Sequence, residues 1–230
     1  MLSLSEFELE VLLLSLKVAF WAVLASLPLA LGAAWLLARH EFWGKTLFNG
    51  FVHLPLVVPP VVIGYLLLIS LGQQGPIGAL LKDLFGITVI FTWKGAVVAS
   101  AVMAFPLMVR AIRLSLEAVD RGLEAAARTL GAHPLRIFAT ITLPLTLPGI
   151  LAGTILAFAR SLGEFGATIT FVSNIPGETR TLPLALFTLV QTPGGESAAT
   201  RLVVLSVLVA LVALAASEIL ARRLARRLGN

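Results

Sequence analysis

The chain has 230 residues, of which 58% are hydrophobic and 13% charged, about half the charge density of a soluble domain. It is therefore an integral membrane protein, long enough for one compact bundle of five or six helices with little left for a soluble domain. The formal net charge of +5 does not mark a nucleic-acid binder, because Arg222, Arg223, Arg226 and Arg227 directly follow an apolar run and suit anionic headgroups. With no cysteine, disulfides, thiol catalysis and cysteine-held metals are excluded.

Residues 1–10 carry Glu6, Glu8 and Glu10 ahead of the first apolar run. A secretory leader starts basic, so the first helix is expected to be retained, behind a short external N-terminal segment. A spanning helix needs roughly 20 apolar residues. Five runs meet that length: about Val11 to Ala38, Gly50 to Leu71, Thr88 to Val109, Leu145 into the 160s, and Leu202 to Ala221. Between the first two, Gly44-Lys45-Thr46 resembles the end of a phosphate-binding loop. Arg39 stands where that loop needs its first glycine, and no strand precedes it, so nucleotide chemistry is not expected here. The second run contains Pro55, Pro59 and Pro60, which predicts a kink in its first half.

After the third run comes a charged island. Arg110, Arg113, Glu117, Asp120, Arg121, Glu124 and Arg128 recur at helical spacing. On one helix they form a charged stripe, with Glu117–Arg121 and Glu124–Arg128 as acid-first pairs. Ala118, Leu123, Ala126, Ala127 and Leu130 lie opposite. Gly131 stops the helix and Pro134 opens the next. Periodicity alone favours an ordinary solvated loop helix over a docking surface.

In the fourth run, Gly149, Gly153 and Ala157 let helices approach closely, which suits packing within the subunit better than a dimer contact. Arg160 and Glu164 lie one helical turn apart in apolar surroundings. Ionisable groups there mark pathways. Two readings stay open: a pathway gate with bending at Gly163 and Gly166, or an internal ion pair that fixes helix rotation. Pro176-Gly177 and Pro193-Gly194-Gly195 then mark turns around Thr181–Gln191, which is too short to span. A re-entrant or interfacial outer helix is expected, with a sixth span as the alternative. His40, His53 and His133 lack metal-ligand spacing, and no Ser/His/Asp set is apparent.

Orientation follows from Lys and Arg. With the charged island in the cytoplasm, Arg39, Lys45, Arg110, Arg113, Arg121, Arg128, Arg136 and the tail arginines are inside. Lys82, Lys94, Arg180 and Arg201 then fall outside or near the outer edge. The N-terminus is then external and residues 222–230 form a basic cytoplasmic tail.

The stretch EAAARTLGAHPLRIFATITLP, Glu124 to Pro144, resembles the "EAA" loop of ABC importer permeases. Anchored on Gly131, the motif matches at Ile141, Leu143 and Pro144. Ala125 occupies the acidic slot, followed by Ala126 and Ala127, and Glu124 stands one residue early. HLPLVVPPVVIGYLLL, FPLMVRAIRLSLE, TLPLTLPGI, FARSLGEFGATITFVSNIPGETRT and QTPGGES are similar to the permease subunit of molybdate importers. The likeness runs from about residue 11 to the tail.

The resemblance implies an all-α membrane protein of the type I ABC importer permease fold, with about five spans and a short re-entrant helix. It implies a transmembrane domain over 11–221 whose cytoplasmic coupling loop covers about 110–144. It further implies a homodimer in the inner membrane, two cytoplasmic ATP-binding subunits, and an extracytoplasmic oxyanion-binding protein. The chain itself is then a translocation subunit, not an enzyme, and carries no cofactor or metal. The implied cargo is molybdate, with tungstate as a similar dianion. A sulfate or thiosulfate permease is the near alternative. A motor-independent channel or secondary transporter is the alternative of another class; it favours internal repeats around midplane charges, and no convincing repeat is present.

Overall fold

The computed structural model describes residues 4–227, without side-chain detail for 217, 218 and 220–227. All regular structure among the described residues is helical.

α1 (Glu6–Arg39) opens on a capping box: Ser5 Oγ accepts from the Glu8 N–H, and the Glu8 carboxylate accepts from the Ser5 N–H. That box starts the helix five residues before the apolar run and draws residues 6–10 into it. Glu8 also reaches across to Arg201 at 2.9 Å, tying the first helix to the last. Lys17, stranded in the apolar run, places its Nζ over the Trp93 ring, 3.8 Å from the centroid.

The second run is not one rod. α2 (Lys45–Val57) and α3 (Pro60–Leu71) meet at Val58–Pro59 with a bend of 113°. Neither Pro59 nor Pro60 can donate to the preceding turn, so the helix stops and restarts with Pro60 in its first position. The expected span Gly50–Leu71 is thus a broken pair. Among the described residues four continuous helices reach spanning length, and the count is five if the bent pair is taken as one span. α4 (Pro76–Phe85) was not anticipated; Pro76 opens it and Gly86, at φ +65°, ends it.

α5 (Trp93–Ala118) both starts and ends later than the expected Thr88–Val109. Thr92 caps its first turn at Gly95, and the helix runs on through Arg110 and Arg113, since hydropathy falls there but helix propensity does not. After the loop described below come α8 (Leu143–Leu162), α9 (Gly166–Val172) and α10 (Leu182–Val190). α10 is the short helix expected over Thr181–Gln191. At 9 residues it cannot span, so the sixth-span alternative falls. α11 (Glu196–Arg227) begins six residues before the expected Leu202. The side chains of the basic tail lie outside the described residues.

α5 is the central rod, packed on one side by α1 and on another by α8. Without a hydrophobic drive between helices in lipid, close backbone approach supplies the attraction. The contact surface is accordingly small: Ala30, Ala34 and Leu37 of α1 meet Ala104, Met108 and Ile112 of α5, with Ala157 of α8 beside them. A Cβ on Gly153 would lie 3.1 Å from the Met108 carbonyl and 3.2 Å from Ala111 Cβ, and one on Gly149 would collide with Ser115. The small-residue stripe therefore serves α5–α8 packing within the subunit, as expected.

Candidate coupling surface and pathway site

The charged island is not one helix. α5 ends at Ala118, and Asp120 caps a separate helix, α6 (Arg121–Thr129), by accepting from the Gly122 N–H at 2.7 Å. The break at Val119–Asp120 separates the expected Glu117–Arg121 pair. Glu117 instead takes Arg113 Nε at 2.7 Å, and Arg113 also holds Asn49 of α2 at 3.0 Å.

α6 closes on a left-handed glycine. Gly131 has φ +81°, its N–H donates to the Arg128 carbonyl, and the Ala132 N–H donates to the Ala127 carbonyl. This double closure leaves the glycine position open only to residues that tolerate positive φ. His133 then caps α7 (Pro134–Ile137) through Nδ1. A π-helical segment, Phe138–Thr142, follows, and Leu143 and Pro144 begin α8. The helix, glycine turn and second helix leading into the fourth span are all present.

Glu124 does not pair with Arg128. Its Oε1 accepts from Arg39 Nη2 at 2.8 Å and from Thr142 Oγ1 at 2.7 Å. The Arg39 and Glu124 side chains are only 9% and 14% exposed. Arg121 adds a longer bond, 3.4 Å, to the Ala38 carbonyl. One carboxylate thus ties the loop to the end of α1 and to the π-helical entrance of α8. Sequence reading missed this clamp, because Arg39 and Thr142 are remote in the chain. The signal available was a carboxylate one position off the motif's slot.

The outer face of the loop has the opposite character. No residue of α6 is buried. Leu130 is 88% exposed, with Leu123 and Ala126 also open. A solvated loop helix has no physical reason to present this row of leucines; a partner surface would cover it.

The candidate pathway residues Arg160, Gly163, Glu164 and Gly166 lie at the other end of α8, about 26 Å along the axis from Leu143. Arg160 Nη1 sits 2.6 Å from Glu164 Oε2, and Glu164 Oε1 accepts from the Ala167 N–H of α9 at 2.8 Å. Glu164 is 1% exposed and Arg160 29%. The carboxylate therefore bridges the last turn of α8 and the first of α9, at the positive end of the latter. Gly163 lies at the break itself and lines a cavity of about 340 Å³ between α8, α10 and α11. Gly166 permits close contact, since a Cβ there would lie 2.8 Å from Pro60 Cβ of α3. So Arg160, Gly163, Glu164 and Gly166 form one junction, separate from the loop.

The sequence matches the family profile described as binding-protein-dependent transport system inner membrane component over residues 26–229. The chain belongs to that family. It is a multi-pass inner membrane permease of the ABC importer type. It is 64% identical to the molybdenum transport system permease protein ModB of Escherichia coli (strain K12), over 99% of each chain. Identity to the Haemophilus influenzae protein of the same name is 59%, over 97% of each. A probable sulfate transport system permease protein of Chlorella vulgaris is 36% identical over 71% of this chain and 61% of that one. The fold is shared with a bacterial alginate importer, at TM-score 0.76 and 18% identity over 96% of this chain and 80% of that one. It is shared also with an inward-facing methionine transporter, at TM-score 0.67 and 17% identity over 96% and 99%.

Proposed function

We propose that the chain is the permease of an ATP-driven molybdate importer, acting as a homodimer with two cytoplasmic ATP-binding subunits and an extracytoplasmic oxyanion-binding protein. Supporting the cargo is the 64% identity, end to end, to a molybdenum transport permease. Tungstate has the same shape and charge and would follow the same route. The observation that carries the mechanism is the two-sided loop: exposed leucines at Leu123 and Leu130 on α6 and its cap, clamped from behind through Glu124.

The N-terminus is external and the loop cytoplasmic, by the distribution of Lys and Arg. ATP-driven closure of the partner subunits presses on Leu123, Ala126, Ala127 and Leu130. The Gly131 turn keeps α6 and α7 together under that load. The Arg39–Glu124–Thr142 clamp passes the displacement to α1 and to α8 through Ile141, Leu143 and Pro144. A π-helical segment has poorer hydrogen bonds than an α-helix, which makes Phe138–Thr142 the compliant point.

At the far end, Glu164 couples α8 movement to α9. Arg160 is a steering charge, not a fixed ligand, because Glu164 already neutralises it. A fully unpaired arginine would hold a dianion too tightly to release it.

The sulfate reading rests on the Chlorella relative and shares this mechanism. Uptake of labelled molybdate, measured against excess sulfate in cells with only this permease, separates them. Uptake that persists supports molybdate; uptake that collapses assigns sulfate.

A further inference from the structure

A cavity of about 980 Å³ opens between the cytoplasmic half of α1, the start of α8 and the inner side of the loop. Its walls are apolar: Leu31, Trp35, Phe138 and Ile150. Its mouth is basic, with Arg39, Arg121 and Arg128 against the single carboxylate of Glu124. Arg39 is nine-tenths buried, and its Nε has no hydrogen-bond partner. A buried guanidinium N–H left unpaired is costly and calls for an acceptor.

Depth decides the class of ligand. From Arg39 the groove follows α1 to Leu31, eight residues or about 12 Å into the apolar span. A soluble partner reaches the mouth and has no reason to enter hydrocarbon depth. An ion alone would satisfy the mouth and leave the walls empty. A molecule with an anionic head and a long apolar tail fits both. We infer that this groove binds one anionic glycerophospholipid from the cytoplasmic leaflet, its phosphate at Arg39, Arg121 and Arg128 and an acyl chain between α1 and α8. The leaflet rests on the orientation proposed above.

Gly32 supplies a direct test. It lines the groove, and a Cβ built on it meets no atom within 4 Å. Gly32→Leu therefore fills the groove without disturbing the packing of α1, and leucine is the better helix former. Arg128→Gln, an exposed position, removes one headgroup charge and guards against misfolding of the first variant.

The full-length chain, purified in detergent and delipidated, is titrated with phosphatidylglycerol or phosphatidylcholine and read by native mass spectrometry. The expected result is one phosphatidylglycerol per chain, bound about tenfold more tightly than phosphatidylcholine. Gly32→Leu lowers binding of both lipids, phosphatidylglycerol about tenfold, and Arg128→Gln weakens phosphatidylglycerol alone. Equal affinity for the two lipids, or unchanged phosphatidylglycerol binding in Gly32→Leu, overturns the proposal. So does full competition by inorganic phosphate, which would make the site one for a free ion. Loss of the dimer in Gly32→Leu with lipid binding intact would assign the groove to a second copy of the chain, and also overturns it. Molybdate uptake in proteoliposomes is followed alongside. Selective lipid binding without transport counts against the importer reading alone; transport without lipid selectivity counts against this one alone.

Discussion

Removing the Glu124 carboxylate leaves Arg39 charged, nine-tenths buried and without its anion, and deprives the Thr142 hydroxyl of its acceptor. Breaking a buried ion pair from one side costs about 3–5 kcal/mol. Both side chains keep a small edge in water, so the lower end, about 3 kcal/mol, applies. The clamp holds a surface loop and not the bundle, so that energy appears as local opening of 121–142. At about 1.4 kcal/mol per decade, opening rises on the order of a hundredfold. Limited trypsin cleavage after Arg121 and Arg128 reads this directly, because slow cleavage follows the open population. Glu124→Ala is expected to be cut about a hundredfold faster than the unaltered protein. Glu117→Ala is the contrast. Its pair with Arg113 is 40% and 29% exposed, and an exposed pair is worth about 0–1 kcal/mol, so cleavage changes by less than about fivefold. Adding Arg39→Met to Glu124→Ala is expected to restore much of the protection, because the uncompensated buried charge is then gone. A rise below threefold in Glu124→Ala, on the order of the Glu117 control, would mean that the clamp does not hold the loop.

At the loop's turn, Gly131→Ala costs about 1–2 kcal/mol from positive φ alone and keeps ATPase association in a pull-down. Gly131→Trp remains folded and membrane-inserted but loses association, because the indole stands on the docking face; normal association and uptake would place coupling elsewhere. In the α5–α8 contact, Gly149→Ala destabilises by about 1–3 kcal/mol, and Ser115→Gly restores much of the loss in a detergent melting assay; equal damage with and without Ser115→Gly would refute that packing. Outside the spans, the hydrogen bond from Lys45 and its charge hold the Glu41 carboxyl below its ordinary range. Any stability from this pair is therefore present above the ordinary carboxylate pKa and lost only as pH falls through the lowered one. The Glu41 side chain is 90% exposed, so Glu41→Gln is expected to leave the melting profile from pH 4 to pH 7 unchanged, on the order of the measurement error.

The helical class, the long apolar rods and the loop's sequence of helix, glycine turn and helix were legible because each rests on local pattern. Apolar run length marks α1, α5, α8 and α11. Gly131 and Pro134 mark the turn by their own backbone limits. Helix ends were misplaced where hydropathy and helix propensity part company. Ser5 and Glu8 cap α1 in polar sequence, and α5 continues through Arg110 and Arg113. The 113° bend was legible as a kink but not as an angle, because prolines remove hydrogen bonds without dictating where the chain goes next. The charge pairing was misread for a different reason. Spacing predicts partners on one helix, whereas Glu124 found a buried arginine from α1, 85 positions away. A desolvated arginine outcompetes an exposed one for the same carboxylate. The Arg160–Glu164 pair, local in sequence and buried in structure, was readable from spacing, but its link to Ala167 was not.

In the proposed mechanism this chain moves molybdate only when a separate motor pushes on its loop. The most direct measurement places the permease in proteoliposomes, with and without its ATP-binding subunits, with binding protein and labelled molybdate outside and ATP sealed within. Accumulation that requires both the ATP-binding subunits and ATP is the predicted result. Molybdate entry through the permease alone, at a rate indifferent to ATP, would contradict it.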